Sequence, residues 1–308
     1  MRLTIAIPTF NRPDTVLDTL SKLLSYPNSH EVDLLVVDNG SDVDIELFIN
    51  NNLSNISNLS IKRFNTNEGF HESFYRLFEV CSSDFVMVLS DEDIFDLNRL
   101  TEVIKILESK SPNLLVVSSK NKSKILTRSN NIKISSYRIK DESSYISGLI
   151  FKTKPVKENL KFFRDMSNSE EFAYLYPSVL VAYTLALSGK CLRFKKAAIE
   201  YRTIIPTSIK SARGVSYKLP TERIYQHLSL MSCFEKLKFE FPSHISKINY
   251  YILSEKMNLF GLIFNSIGFI SSRAKTDFLY SSTKFIFLHL MRFFCSFPGR
   301  IFTFIFKS

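Results

Sequence analysis

Three acidic side chains follow one another in Ser90-Asp91-Glu92-Asp93, directly after the apolar run Phe85-Val86-Met87-Val88-Leu89. Carboxylates at the end of a buried segment are costly unless a cation or hydrogen-bond donors meet them. Hard oxygen ligands of this kind suit Mg²⁺ or Mn²⁺, which is typically held by one or two carboxylates together with substrate phosphates. The three carboxylates together are a candidate cation site. A plainer reading stands beside this one, because acids also favour the positive end of a helix, and a helical pattern starts nearby at Leu97. Two more polar clusters end apolar runs in the same way: Thr9-Phe10-Asn11-Arg12 and Asp38-Asn39-Gly40-Ser41-Asp42. Within them Asn11 and Asn39 are also good turn residues, and Asp42 and Asp44 read as solvated or capping acids.

Strands and helices in a definite order must bring these clusters together. Leu3 to Ile7, Val32 to Val37, Leu59 to Phe64, Phe85 to Leu89 and Asn113 to Ser118 read as strands. Between and after them, residues 14–24, 44–52, 73–81 and 97–109 place apolar side chains at helical spacing. This alternation predicts right-handed crossovers and an α/β fold, a Rossmann-like, mostly parallel sheet flanked by helices. Ligands bind such sheets at the carboxyl ends of the strands, where the three polar clusters fall. Farther along, 120–145 is polar and Tyr145 to Phe151 is apolar. Tyr174 to Ser188 reads as a helix stopped at Gly189, and Leu192 to Arg202 as a strand. The pattern is helical after 220, which predicts one domain over 1–219 and a helical extension over 220–308.

The strand ends also carry a resemblance. Ile5-Ala6-Ile7-Pro8-Thr9-Phe10-Asn11-Arg12, Leu35-Val36-Val37-Asp38-Asn39-Gly40-Ser41, Asn67-Glu68-Gly69 and Phe85 through Asp93 occur in the order and at the separations of family 2 glycosyltransferases. The close match spans 3–100, and a weaker one reaches about Arg202. The Asp-Asn-Gly loop and the Ser-Asp-Glu-Asp variant look most like the abequosyltransferase-type branch, which acts in bacterial O-antigen and capsule assembly. The resemblance implies a GT-A fold and transfer of a sugar from a nucleotide-sugar donor, with inversion, to a polyprenyl-diphosphate-linked oligosaccharide. It implies that Thr9, Asn11 and Arg12 line the nucleotide pocket and that Asp38 accepts a hydrogen bond from the base. Asn67 and Gly69 would form the loop near the diphosphate, Asp91 would sit by the ribose or metal, and Asp93 would be the metal ligand. One departure is plain. Many inverting members carry a Glu-Asp pair as general base, and here that place reads Tyr176-Pro177-Ser178. Glu170, Glu171 and Asp165 lie nearby, and Glu171 is the candidate base; the first two also read as an exposed pair opening a helix.

Composition bounds the remaining readings. The 308 residues are 45% hydrophobic with 8 Gly and 10 Pro, which excludes global disorder and fibrous repeats. The net charge of +10 is uneven: residues 1–100 hold 7 basic and 16 acidic side chains, and residues 101–308 hold 33 and 14. Cys81, Cys191, Cys233 and Cys295 are widely spaced without metal-ligand spacing, so free thiols in a reducing compartment are expected. The amino terminus does not read as a signal peptide. From 256 onward there are 12 Phe and seven Lys or Arg against a single acid, Asp277. Phe285 to Phe306 is interrupted by Arg292, Pro298 and Arg300, so these stretches suit helices lying in an anionic membrane interface rather than spanning it. A helical pair packing on protein is the alternative. The basic segment Tyr201-Arg202 through Lys210, Arg213 and Lys218 reads as a loop that folds over a diphosphate, or as a solvated loop. The expected place is cytoplasmic, peripheral at the inner face of the cytoplasmic membrane. No nucleic-acid partner is expected, since no recognition motif or interleaved basic groove occurs. A catalytically silent, glycosyltransferase-like binding module is the competing function.

Overall fold

A computed structural model describes residues 1–53, 56–119, 131–135, 138–202 and 220–272. The chain forms two compact units, Met1–Thr207 and Ser208–Ser308. Among the described residues of the first, nine strands make one mixed sheet: β1 (Leu3–Thr9), β2 (Asp33–Asp38), β3 (Leu59–Arg63), β4 (Phe85–Val88), β5 (Ile94–Phe95), β6 (Leu114–Ser119), β7 (Asn131–Lys133), β8 (Leu149–Lys152) and β9 (Cys191–Glu200). Their order is β3-β2-β1-β4-β8-β6-β9-β5, with β7 added beside β9. The half from β3 to β4 is parallel throughout. The fold is the expected α/β sheet flanked by helices.

Full burial of β1 and near-full burial of β2 and β4 explain their unbroken apolar runs. On one face Ile5, Ile7, Val36 and Met87 pack with Val16, Leu20 and Leu23 of α1 (Pro13–Leu24) and with Val103 and Leu107 of α4 (Leu100–Lys110). Phe74 and Phe78 of α3 (Phe70–Val80) meet the Phe151 ring of β8 at 5.9 and 5.6 Å. Between α1 and α3 lies α2 (Ile45–Asn52), capped by Asp44, whose carboxylate accepts from Leu47 N at 2.9 Å. Register decides where the chemistry falls. Thr9 pairs with Asp38, Asp38 with Arg63, and β4 runs alongside β1 up to Ala6↔Val88. The carboxyl ends of β2, β1 and β4 therefore sit side by side.

The second half of the unit departs most from simple alternation. β8 runs antiparallel between β4 and β6, so the apolar residues up to Phe151 supply an inserted strand. Between β7 and β9 come α5 (Ile139–Ser143), α6 (Thr153–Glu158), α7 (Leu160–Ser169), α8 (Glu171–Leu175) and α9 (Pro177–Ser188). The single helix expected over 174–188 is thus two helices. Pro177 offers no N–H and restricts the residue before it, and Tyr176 takes φ −130° and ψ 59° at the break. Gly189 closes α9 in an extended conformation, φ −144°, rather than the left-handed one. A Cβ there would lie 2.0 Å from Asn113 Nδ2, which donates to Leu185 O at 3.1 Å, so close approach explains this glycine.

The second unit contains α10 (Pro220–Glu240) and α11 (Ile245–Ser272), joined through a short turn at Pro242–His244. Phe234 and Tyr251 pack between the two helices with ring centroids 5.6 Å apart. His227 Nδ1 meets the buried Glu255 carboxylate at 2.5 Å. Among the described residues no helix is long and apolar enough to cross a membrane. Cys81, Cys191 and Cys233 are buried, and no disulfide joins them. The basic segment with Lys210, Arg213 and Lys218, and the Phe-rich stretch from Arg273 onward with Cys295, lie outside the described residues.

Candidate functional site

Asp91 leaves the end of β4 and is met at once by β1. Thr9 Oγ1 donates to its Oδ2 at 2.9 Å, and the Arg12 guanidinium reaches Oδ1 at 3.3 Å and Glu92 Oε2 at 3.2 Å. Thr19, on α1, donates to the Asp91 carbonyl at 2.5 Å. Burial pushes the Asp91 carboxyl above its usual range, against the opposing pull of Thr9 and Arg12, and neighbouring Asp93 pushes it the same way. Glu92 is raised too, by burial first and by its two acidic neighbours. These acids do not cap the following helix. That role belongs to Asp96, whose carboxylate accepts from Asn98 N at 3.1 Å.

Asp93 is wholly enclosed. Ser147 Oγ donates to Oδ2 at 2.6 Å and Tyr145 OH to the same oxygen at 2.8 Å, while Arg202 N donates to Oδ1 at 3.3 Å. The pairing of β5 with β9, Ile94↔Glu200, brings Tyr201 and Arg202 to this carboxylate. The Arg202 guanidinium donates to the Glu92 carbonyl, Asp18 and Thr19, tying the exit of β9 to α1. Burial and the bond to Asp93 raise the Tyr145 phenol strongly, so it remains a proton donor.

At the end of β2, Asp38 is also completely buried, but its two oxygens differ. Oδ1 accepts from Ser41 N at 2.9 Å and Ser41 Oγ at 2.5 Å. Oδ2 has no hydrogen-bond partner and faces Arg63 Nε at 3.7 Å. Asn11, at φ 53°, bridges to the same loop: its N donates to Ser41 Oγ at 2.8 Å, and its side chain exchanges two hydrogen bonds with Asp42. Asn39 carries the connection onward. Its Nδ2 donates to Asn67 Oδ1 at 2.8 Å and to Gly69 O at 3.3 Å, and Gly69 N donates to Asn67 Oδ1 at 2.9 Å. Gly40 needs its hydrogen side chain here: at φ +82°, a Cβ would come within 2.7 Å of the Thr66 carbonyl carbon.

The structure therefore brings Thr9, Arg12 and Asp91 into one cluster, and Asn11, Asp38, Asn67 and Gly69 into an adjoining one. Glu171 opens α8, half-buried, and one turn later Tyr174 packs on His71 with ring centroids 4.5 Å apart, beside the Gly69 turn. Asp165 is exposed and Glu170 is half-buried. Where the missing acidic pair would fall, Ser178 donates to the Ser143 carbonyl at 2.8 Å.

Sequence reasoning overlooked Arg76, which joins the two loops. This buried guanidinium on α3 donates to Asn39 Oδ1 at 2.6 Å, Thr66 O at 3.1 Å and Glu68 Oε1 at 2.7 Å, and lies 4.1 Å above the Phe64 ring. The available signal was an arginine on the apolar face between Tyr75 and Phe78. No local pattern links Tyr145 or Ser147 to Asp93, and Arg202, which reads from sequence as the start of a basic loop, instead donates its N–H to Asp93.

The donor set at Asp91, Glu92 and Asp93 is oxygen-only, crowded with negative charge, and answered nearby by Arg12; this chemistry fits a hard divalent cation. A carboxylate offers roughly four lone-pair sites, and the three donors on Asp93 leave capacity for one more contact. Among the described residues no three His, Cys, Asp or Glu side chains are already grouped around a common metal position.

In this mixed α/β sheet the polar loops gather at the carboxyl ends of the parallel strands β1, β2 and β4, where such sheets bind their ligands. The family model for glycosyl transferase family 2 matches residues 4–161, and the chain belongs to that family. No curated protein sequence matches it. Its fold is similar to residues 1–349 of TarS from S. aureus in complex with UDP-GlcNAc, at TM-score 0.61 and 16% identity, covering 90% of this chain and 77% of that one. The same TarS segment in complex with UDP gives TM-score 0.52 at 17% identity, and there the match covers 76% of this chain and 65% of that one. Against a longer TarS structure the TM-score is 0.54 at 18% identity, covering 77% of this chain and 40% of that one.

Proposed function

We propose that this chain transfers a sugar from a nucleotide-sugar donor to a hydroxyl of a lipid-linked oligosaccharide, with inversion, in bacterial surface-polysaccharide synthesis of the abequosyltransferase type. The observation that carries the reading is the buried Asp38 Oδ2 without a hydrogen-bond partner, one strand away from the Thr9–Asp91 pair. This oxygen faces Arg63 Nε at 3.7 Å but accepts no hydrogen bond; a buried acceptor without one is costly, and a base N–H would satisfy it. In this reading Thr9, Asn11 and Arg12 line the nucleotide pocket, and Asn67 and Gly69 present their loop to the diphosphate. Asp91 and Asp93 would hold Mg²⁺ or Mn²⁺, which offsets charge on the leaving diphosphate. Arg12 adds a cationic donor at the same place. Glu171 serves as the base that takes the proton from the acceptor hydroxyl. The basic, Phe-rich carboxyl-terminal region holds the enzyme peripherally at the inner face of the cytoplasmic membrane.

Incubation with UDP-, GDP-, dTDP- and CDP-sugars in the presence of Mn²⁺, with Asp93→Ala as the control, tests the proposal. Release of a nucleoside diphosphate by the wild type alone supports it; equal release by Asp93→Ala removes the metal assignment. The replacement of the acidic pair by Tyr176-Pro177-Ser178 favours a second reading, a silent nucleotide-binding module, and nucleotide binding without turnover would establish that one.

A further inference from the structure

Tyr145 combines two properties that rarely coincide. Its hydroxyl is committed to the wholly buried Asp93 carboxylate at 2.8 Å, yet the residue is 37% exposed. Tyr201 packs beside it with ring centroids 4.2 Å apart and planes tilted by 59°. Both rings are held from below. Ser147 shares Asp93 with Tyr145, and Gly148, at φ +85° and without room for a Cβ against Ile199, fixes the backbone that follows. Tyr201 is held by its neighbour Arg202, whose N–H donates to Asp93 and whose guanidinium is tied to α1. Tyr145 is the exposed member, while Tyr201 is half-buried and packs against the core; an exposed ring locked in place on a core-anchored one adds little to folding and suits recognition.

We propose that Tyr145 and Tyr201 form a platform on which the apolar face of a pyranose ring stacks. This rests on the proposed function in one respect only, the presence of a sugar beside Asp93. The ring faces carry negative potential and the axial C–H groups of a pyranose are electropositive, so the contact needs no directional hydrogen bond. The neighbouring carboxylates and Arg12 can then bind the hydroxyls at the edge of the sugar. The pyranose could belong to the donor or to the acceptor.

Two measurements on the full chain separate these sources. In the first, saturation-transfer NMR reads binding of the methyl glycosides of glucose, galactose, mannose, N-acetylglucosamine and rhamnose. In the second, calorimetry compares UDP-glucose with UDP and GDP-mannose with GDP. Tyr201→Leu and Tyr145→Leu are expected to weaken the sugar-dependent binding by about tenfold, equivalent to about 1.4 kcal/mol. Tyr145→Phe and Tyr201→Phe, which keep the rings, are expected to retain it. A loss confined to the methyl glycosides assigns the platform to the acceptor, and a loss confined to the nucleotide sugars assigns it to the donor. Absence of pyranose binding in both measurements on the wild type, or unchanged binding in the leucine variants, overturns the proposal. Tyr201 has no bond to Asp93, so its variant carries the test if Tyr145→Leu does not fold. Should the wild type bind no nucleotide while the leucine variants lose methyl-glycoside binding, the platform stands and the nucleotide-sugar reading falls.

Discussion

The two buried carboxylate corners of the site are built in opposite ways. At the end of β4, Asp93 gives both oxygens to donors from the chain itself, drawn from residues more than fifty positions away. At the end of β2, Asp38 satisfies one oxygen locally, through Ser41 three residues on, and leaves the other without a hydrogen bond. The first corner holds the fold together around its charge. The second pairs its other oxygen only with Arg63 Nε at 3.7 Å, which under the proposed function leaves room for a ligand donor. A carboxylate that stabilises the fold and one that awaits a partner should respond differently to substitution.

The largest effect is expected at Asp93. Replacement by Ala leaves the Tyr145 and Ser147 hydroxyls and the Arg202 N–H without their acceptor, and should cost about 2–4 kcal/mol of stability. Urea denaturation measures this, and an unchanged midpoint would dissolve the contrast between the corners. Asp38→Asn should behave in the opposite sense. The Ser41 contacts can persist, so the urea midpoint should move little, while affinity for the preferred nucleoside diphosphate falls about tenfold to a hundredfold. Calorimetry of both proteins decides it.

Arg76 sharpens the comparison, since it belongs to the binding corner but is itself buried. Arg76→Met removes its bonds to Asn39, Thr66 and Glu68, and should raise the donor KM about fivefold with a smaller change in kcat. Steady-state rates over donor concentration measure that split; a pure loss of kcat would place Arg76 outside the loop-holding role. The smallest effect lies far from both corners, at Glu102. Its hydrogen bond to Lys196 is the main cause that lowers its carboxyl below the usual 4.5. The stability it contributes is present above pH 4.5 and is lost as pH falls through the lower folded value. Because the pair is partly exposed, Glu102→Gln should cost only about 0.5 kcal/mol, and thermal melts at neutral and acidic pH would show the difference shrinking in acid.

The same contrast explains what could be read from the residues in order. Strand ends announce themselves locally, as an apolar run stopped by Asp-Asn-Gly-Ser or Ser-Asp-Glu-Asp, so Thr9, Asp38 and Asp91 were visible from the sequence and the register of β1 with β2 then set two of them side by side. The parallel half of the sheet was equally legible, because burial on both faces demands continuous Val, Ile and Leu. The antiparallel β8 was not, since three apolar residues and a lysine fit a strand or a helix alike. Nor was the two-residue β5, which exists only because β9 returns to pair with it. Tyr145, Ser147 and Arg202 reach Asp93 through these long-range pairings, and Arg76 reaches Asn39 from another helix. Residue order holds no local trace of such contacts.

Under the proposed function Asp38 meets the base of a nucleotide that the Asp91–Asp93 corner helps to hold. Titration calorimetry with UDP, GDP, dTDP and CDP in the presence of Mn²⁺, on the wild type and on Asp38→Asn, puts this to the test. At least one nucleoside diphosphate is expected to bind the wild type, and Asp38→Asn, with its fold intact, to bind it at least about tenfold more weakly. If none of the four binds, or if both proteins bind equally well, Asp38 has no such role.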